Sequence, residues 1–461
     1  MAWNALASAS QRLRNVSPLG LDQMFGKLLS ARAGAGTFRR RIFDPPMTFW
    51  LFLWQMLEAH RTCREVLCKA RAWFCVYQRR FISANTSAYC QARGRLNFSL
   101  ILQAHRTILK RIEGESHPWA AWCGRRVVVV DGTTLSMPDT PANQAAYPQS
   151  RKQTPGCGFP LMRIVGLFSL ATGAWIALAK GTLHVHEATL FRTLWRHLQP
   201  RDVVLADRGF CSLAVFWLLA GKKIDCVMRL NQRRSVGIHL LKRLSRGDHL
   251  VEWIRSKICP SWMDPEVWRS LPQTMRLRHI TVSVTRPGFR TRSLVIATTL
   301  LDTPTYPPQE IANLYRRRWR VELFLRDIKI TMGMDILRCK TPTLIHKELW
   351  MHIIAYNIIR LLLLQASFRH DVDPFRISFS GAVSALRQWV HFFPSRDFPC
   401  FSARLWNAFL RYLAEDTLPY RPDRTEPRAV KRRPKNYQRL TQPRSIFHEA
   451  PHRNHYRKPL S

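Results

Sequence analysis

Acidic residues are scarce in this chain. Its 461 residues carry 30 Asp+Glu against 72 Lys+Arg, a formal net charge of +42. Such an excess says nothing about fold but points to an anionic partner, nucleic acid first. Paired cysteines are lacking too. The 11 Cys run singly from Cys63 to Cys400 with no C-x-x-C, which argues against a zinc ribbon or a disulfide framework and predicts reduced, mostly buried thiols. No uncharged apolar run reaches the roughly 18 residues of a membrane span. The most apolar stretch, Met351 to Leu364, is interrupted by Asn357 and Arg360 and reads as a buried helix. The N-terminus has no basic-then-apolar leader with a small-residue cleavage site, and no repeat of fixed period is visible. A cytoplasmic protein with no membrane partner is the expectation.

What is present supports real cores: 46% of residues are hydrophobic, with 16 Trp and 24 Phe, and the length suggests two to four domains. A helix near Leu21 is plausible. Pro45-Pro46 marks a break, and Met47 to Leu57 and about Thr62 to Gln78 read as helices. The Ser/Asn/Thr cluster from Ser83 starts a short helix that would present Gln91 and Arg95 one turn apart, with Arg93 offset. Two helices followed by such a helix match a helix-turn-helix DNA reader. An all-α domain with a basic surface is the alternative.

From about residue 125 the texture changes. Arg125-Arg-Val-Val-Val-Val-Asp131 reads as a strand buried on both faces and closed by Asp. A Pro/Gly-containing loop to Pro160 follows. Leu161–Leu170 and Trp175–Thr182 read as a hairpin, and His186–Leu198 as a helix, with Glu187 suited to the dipole at its start. Asp202–Asp207 is a second short buried strand closed by Asp. A helix from Cys211 and a strand from Ile224 complete the order β-β-β-α-β-α-β. Residues 232–301 suggest a mostly β insertion. Helices follow at 347–365, 375–393 and 402–413. Residues 371–420 form a C-terminal helical region, and residues 421–461, with 12 Lys/Arg and 3 Asp/Glu, read as a disordered basic tail.

Tyr315 to Lys329 reads as one helix. On a wheel, Leu314, Val321, Leu325, Ile328 and Met332 form an apolar stripe. Tyr315, Arg318, Glu322 and Lys329 form a second stripe beside it, spread over about 60°. Arg316, Arg317, Arg320 and Asp327 take the remaining polar side. Asp131, Asp207 and Glu322 are therefore candidates for one site, since carboxylates leaving neighbouring strands can meet, and a cluster of them needs cations to neutralise it. Mg²⁺ takes oxygen ligands and keeps open positions for a phosphate, and two such ions suit in-line phosphoryl transfer. His184-Val-His186-Glu187 invites a metal reading, but no third ligand at suitable spacing is evident, and it reads as a strand-to-helix junction.

The sequence resembles bacterial insertion-sequence transposases of the DDE superfamily, over roughly residues 38 to 370. Asp131-Gly-Thr-Thr to Gln144 and Leu205-Ala-Asp-Arg-Gly-Phe210 look like the first two acidic motifs. Tyr315-(2)-Arg318-(3)-Glu322-(6)-Lys329 matches the signature of insertion sequence family 4 without a gap. The resemblance implies an α/β, ribonuclease-H-like mixed sheet with flanking helices, formed by residues 120–231 and 302–370. It also implies a β insertion at 232–301 and a helical DNA-binding domain at 1–115. Asp131, Asp207 and Glu322 would be catalytic ligands of two Mg²⁺ ions, with Mn²⁺ as a substitute. Tyr315, Arg318 and Lys329 would hold DNA phosphate. It implies cut-and-paste excision and strand transfer: hydrolysis frees a 3′-OH at the element end, which attacks the other strand to form a hairpin, opened before the end joins target DNA. The partners would be double-stranded DNA, both terminal inverted repeats and target, and a second copy of the chain in a synaptic homodimer. The setting would be the bacterial nucleoid. Trp253, Trp262 and Trp268 are candidates to stack on a flipped base. A catalytically inactive transposase-derived DNA-binding protein and a ribonuclease-H-like nuclease are the alternatives.

Overall fold

The structure is a computed structural model that describes residues 42–115, 121–231, 237–260, 262–283, 293–390 and 399–419, with residues 443 and 446. The expected helix near Leu21 and nearly all of the expected disordered tail lie outside the described residues.

Among the described residues four helices come first: α1 (Pro45–Leu57), α2 (Cys63–Gln78), α3 (Ser87–Arg95) and α4 (Phe98–Gly114). Pro45-Pro46 opens α1 rather than breaking the chain. The Asp44 carboxylate accepts from the Met47 amide at 2.8 Å, and proline is tolerated in the first turn because its missing N–H would have no helical partner there. Thr62 and Glu65 close a capping box at α2. Helix α4 was not among the expected elements, although its buried positions (Leu100, Ile101, Ala104, His105, Ile108, Ile112) recur at the spacings of a helix face.

None of the ten described cysteines is in a disulfide, but only Cys211, Cys226 and Cys339 are buried. The expectation of mostly buried thiols therefore fails, because Cys68 and Cys75 face outward on α2 and Cys123 sits on an exposed turn. Folding also brings Cys63 and Cys90 together, with their sulfurs 3.7 Å apart.

The centre is one nine-stranded sheet. Its strands are β1 (Val127–Ser136), β2 (Leu161–Ser169), β3 (Trp175–Thr182), β4 (Val203–Ala206), β5 (Asp225–Arg229), β6 (Ile238–Ser245), β7 (Asp248–Ile254), β8 (Thr274–Ser283) and β9 (Ser293–Thr298). The spatial order is β3-β2-β1-β4-β5-β9-β8-β7-β6. Strands β1, β4 and β5 are parallel neighbours, and β1–β2 and β2–β3 are antiparallel. The strands after β5 extend the same sheet, since β9 pairs antiparallel with β5 at Val227↔Thr298. A short helix, α5 (Pro141–Ala146), breaks the loop after β1. Helices α6 (Glu187–Leu194) and α7 (Leu213–Ala220) follow β3 and β4, and α8 (Pro265–Ser270) precedes β8.

The valine run sorts itself between two cores. Val127 and Val129 join the cluster that also contains α1–α4, while Val128 and Val130 join the cluster under α6 and α7. Alternate strand side chains point to opposite faces, so an unbroken β-branched run is what a strand covered on both sides requires. After the sheet come α9 (Pro308–Arg317), α10 (Arg320–Arg326), a π-helical turn at 327–331, α11 (Pro342–His370), α12 (Phe379–Trp389) and α13 (Pro399–Glu415). Helix α11 is long and apolar enough to cross a membrane by length and composition, but it is the central buried helix of the first cluster. Asn357 fixes it to β3, accepting from the Trp175 amide at 2.8 Å and donating to its carbonyl at 3.0 Å.

His105 on α4 illustrates what this packing demands. It is buried, with Nε2 3.1 Å from the Trp175 carbonyl, and burial lowers its pKa to about 4. The folded chain keeps it neutral while the unfolded chain protonates near pH 6.5. Its contribution is therefore intact above pH 6.5 and is lost as pH falls toward 4, a loss of about 3 kcal/mol. His105→Gln is expected to flatten the fall in urea midpoint between pH 7 and pH 4.5. An unchanged slope would mean His105 is not the titrating group.

Candidate functional site

Register brings the two aspartates together. Strands β1 and β4 run parallel with Val127↔Val203, Val128↔Val204 and Val129↔Leu205. That constant offset of 76 residues also separates Asp131 from Asp207. Asp131 lies two residues past the last pair of that ladder on β1, and Asp207 one residue past β4, so both follow the same end of it. Parity puts both on one face: Val127, Val129, Val203 and Leu205 all face the first core, and Asp131 and Asp207 continue those series. Asp131 does not close its strand, because pairing with β2 carries β1 on to Ser136, with Asp131 opposite Gly166. It is β4 that stops.

Glu322 approaches on the same face. Leu314, Val321, Phe324 and Ile328, from α9, α10 and the π turn, are buried in the first core. The expected single helix is in fact three segments. Between α9 and α10 the amides of Arg318, Trp319, Val321 and Glu322 bond back three residues, to Tyr315, Arg316, Arg318 and Trp319. At 327–331 the chain widens, with the Met332 amide bonding back five residues to Asp327. Tight and wide turns rotate the faces that a uniform wheel assigns. Asp327 is the visible consequence: expected on the polar side, it is buried and paired with Arg360 of α11 at 2.7 Å.

Arg318 stands at the centre of the site. It is buried, and its Nη2 lies 3.2 Å from Glu322 Oε1. Burial works against its charge, but Tyr315, Asp207, Asp131 and Glu322 around it outweigh that and raise its pKa. Burial pushes the Tyr315 phenol up, against the pull of Arg318. Burial also raises the Asp131 carboxyl to about 6, with smaller upward pushes from Glu322 and Glu187 outweighed by the Gly132 amide and Arg318. Lys329, in the π turn, reaches β1: its ammonium donates to Thr133 Oγ1 at 2.8 Å and to the Thr134 carbonyl at 3.1 Å. Asp131, Asp207, Glu322, Tyr315 and Arg318 thus share one electrostatic neighbourhood, with Lys329 tethered two residues beyond Asp131.

A carboxylate-only donor set suits a hard divalent cation. Asp131 and Asp207 fit that chemistry, and the burial that lifts Asp131 is the penalty a bound cation removes. The cage is open, however. Among the described residues no three His, Cys, Asp or Glu are gathered tightly enough to hold a metal, and the half-exposed Glu322 carboxylate is paired with Arg318.

The expected DNA-reading side chains divide. Gln91 and Arg95 are exposed on α3, whereas Arg93 is buried. Its guanidinium lies 5.1 Å from the Phe52 and Tyr89 ring centres and donates to Gln55 and Cys339. That corrects the reading of Arg93 as a base contact, because α1 covers that side of α3. Trp253 and Trp268 are core residues and Trp262 is packed partly against the same core, so the first two cannot stack on a base as the chain stands. Glu187, read from the sequence as a helix-start residue suited to the dipole, does open α6, and it is near enough to Asp131 to push that carboxyl upward.

The arrangement is of the kind met in enzymes that move phosphoryl groups on nucleic acid. Residues 122–358 match the family model described as transposase DDE domain, and the chain belongs to that family. It is a DNA transposase, and its family performs metal-dependent phosphoryl transfer on DNA, generally with divalent ions. It is 29% identical over 441 residues to the transposase InsG for insertion sequence element IS4 of Escherichia coli (strain K12), covering 94% of this chain and 96% of that protein. A solved piggyBac transposase synaptic complex with hairpin DNA matches with a TM-score of 0.39 at 10% identity, over 90% of this chain and 85% of that one.

Proposed function

We propose that Asp131, Asp207 and Glu322 are the catalytic carboxylates of this transposase, that they take two Mg²⁺ ions, and that the chain excises and joins its element by cut-and-paste through a hairpin end. The observation that supports this is the shared offset of 76 residues, by which both Asp follow the same end of the β1–β4 ladder, together with a buried Arg318 that feels Asp207, Asp131 and Glu322 at once. The ions would supply the positive charge that stabilises the attacking and leaving oxygens of an in-line displacement. The chain's own contributions follow from its geometry. Arg318, bonded to Glu322 and buried, offers a fixed guanidinium for a phosphate oxygen. Tyr315 backs Arg318. Lys329 adds a second cation beside β1. The strand order β3-β2-β1-β4-β5 supports a ribonuclease-H-like core at 120–231 and 302–370. Residues 232–301 would be the β insertion, 1–115 the helical DNA-binding part with Gln91 and Arg95 facing DNA, 371–420 a C-terminal helical region and 421–461 the basic tail. Double-stranded DNA is the substrate, both as terminal repeats and as target, with a homodimer in the synaptic complex.

The test is Mg²⁺-dependent cleavage of a labelled duplex carrying the terminal repeat. Release of a 3′-OH end followed by a hairpin supports the reading, and Mg²⁺-independent cleavage or cleavage without end specificity overturns it. Arg318→Ala and Lys329→Ala are expected to lower hairpin formation and joining by about 10²-fold, the scale of one lost charge-stabilising donor. Unchanged yields of every intermediate would remove both residues from phosphate binding.

A further inference from the structure

Cys63 is the first residue of α2, and Cys90 lies in the middle of α3. Docking of the two helices leaves their sulfurs 3.7 Å apart, and both thiols are half-buried, within reach of small solutes. Neighbouring side chains hold each sulfur in place. Gln55 donates from Nε2 to Cys63 Sγ at 3.6 Å. Arg93 donates from Nη2 to Cys90 Sγ at 3.5 Å. Arg93 is fixed in turn, being buried and donating from Nη1 to Gln55 and Cys339. The cluster does not suit a metal. Cys63, Cys90 and Cys339 lie about a guanidinium, and among the described residues no three His, Cys, Asp or Glu could hold one. The two partners are not equivalent. The bond with Cys63 and the charge of Arg93 lower the Cys90 thiol to about 5, outweighing its burial. The same bond and burial push the Cys63 thiol up. Cys90 is therefore the thiolate of the pair, and the thiolate is the nucleophilic form.

We propose that Cys90 and Cys63 form a site of reversible oxidation by a hydroperoxide, with Cys90 as the attacking sulfur and Cys63 as the resolving one. The Cys90 thiolate attacks a peroxide oxygen. An S–O bond forms, the O–O bond breaks, and hydroxide leaves and takes up a proton. Cys90 is then a sulfenic acid. The Cys63 sulfur attacks it, the S–O bond breaks, and water leaves with the Cys63 proton. Two thiols are oxidised to one disulfide, and hydrogen peroxide is reduced to two waters. A dithiol reverses the step by thiol–disulfide exchange and becomes a disulfide itself. The sulfurs close from 3.7 Å to about 2.05 Å. The bond would tie α2 to α3, the helix that presents Gln91 and Arg95 outward.

The test treats the folded full chain with hydrogen peroxide and maps its thiols by peptide mass spectrometry. A peptide pair linked through Cys63 and Cys90 is expected, lighter by the two thiol hydrogens and released by a dithiol. It should form at least about tenfold faster than the exposed Cys68, Cys75 and Cys123 are oxidised, because the thiolate fraction sets the rate. Cys63→Ser should stop at the Cys90 sulfenic acid, which a dione reagent selective for sulfenic acids traps. Cys90→Ser should leave Cys63 unreacted at the same dose. The linkage map of the parent chain decides the matter even where a serine variant misfolds. If Cys63 and Cys90 stay free while Cys68, Cys75 and Cys123 react, or if oxidation spreads evenly over all five, the proposal is overturned. A dione adduct on Cys63 in Cys90→Ser, with none on Cys90 in Cys63→Ser, overturns the assigned roles.

Discussion

Asp207→Ala is expected to abolish cleavage of the element ends, lowering the rate by at least about 10³-fold, which corresponds to roughly 4 kcal/mol of transition-state stabilisation. Asp207 continues β4 on the face that carries Val203 and Leu205, beside Asp131 and within the field of Arg318. Removing it would take away a proposed ligand oxygen and part of the negative field around Arg318. Asp131→Ala and Glu322→Ala should have the same effect. All three variants should keep binding of the end duplex, because the great excess of Lys and Arg lies elsewhere in the chain and most affinity comes from phosphate contacts. Labelled-duplex cleavage with a parallel gel-shift measures both. Full cleavage by any one of the three removes that residue from the site, and loss of binding in step with cleavage would point to a folding defect instead.

Arg278→Met is expected to destabilise the chain by about 3–5 kcal/mol, since it leaves a buried carboxylate without its partner. Arg278 and Asp248 are both fully buried. They are paired in a two-pronged contact, Nε to Oδ1 at 2.8 Å and Nη2 to Oδ2 at 2.6 Å. Arg278 Nη1 also donates to the Tyr306 carbonyl at 2.7 Å, on the run that leads into α9. The pair thus ties β7 and β8 to the helix that carries Tyr315. Against a typical total stability of about 5–15 kcal/mol, the loss is a large fraction, and the urea midpoint should fall accordingly. Replacing both partners, Arg278→Met with Asp248→Leu, should be milder than Arg278→Met alone, because no charge is then stranded. A double variant as unstable as the single would mean that the lost carbonyl contacts, not the stranded charge, carry the cost.

The site was partly legible in the sequence because its chemistry is written locally. Four apolar β-branched residues before Asp131, Asp207 at the end of Val-Val-Leu-Ala, and the Tyr315, Arg318, Glu322 and Lys329 spacing can all be read from short windows. The helix itself was less legible. A uniform wheel predicts one continuous face, but packing imposed a tight turn at Arg318 and a wide one at Asp327, and Arg360 from α11 drew Asp327 inward. Arg93 was misread for a related reason: its isolated helix looks solvated, and only the docking of α1 buries it.

By itself the sequence determined the strongly basic character, the candidate carboxylates with cations spaced beside them, and the unbroken β-branched run that makes β1 a strand with two covered faces. These are matters of residue identity and short period, which neighbours along the chain settle. Only the tertiary structure decided that Asp131 and Asp207 follow the same end of the β1–β4 ladder, that Arg318 is buried and paired with Glu322, and that Glu187 lies against Gly132. Strand register and helix docking join residues tens to hundreds of positions apart. They are set by how two cores close over one sheet, and no local window contains that information.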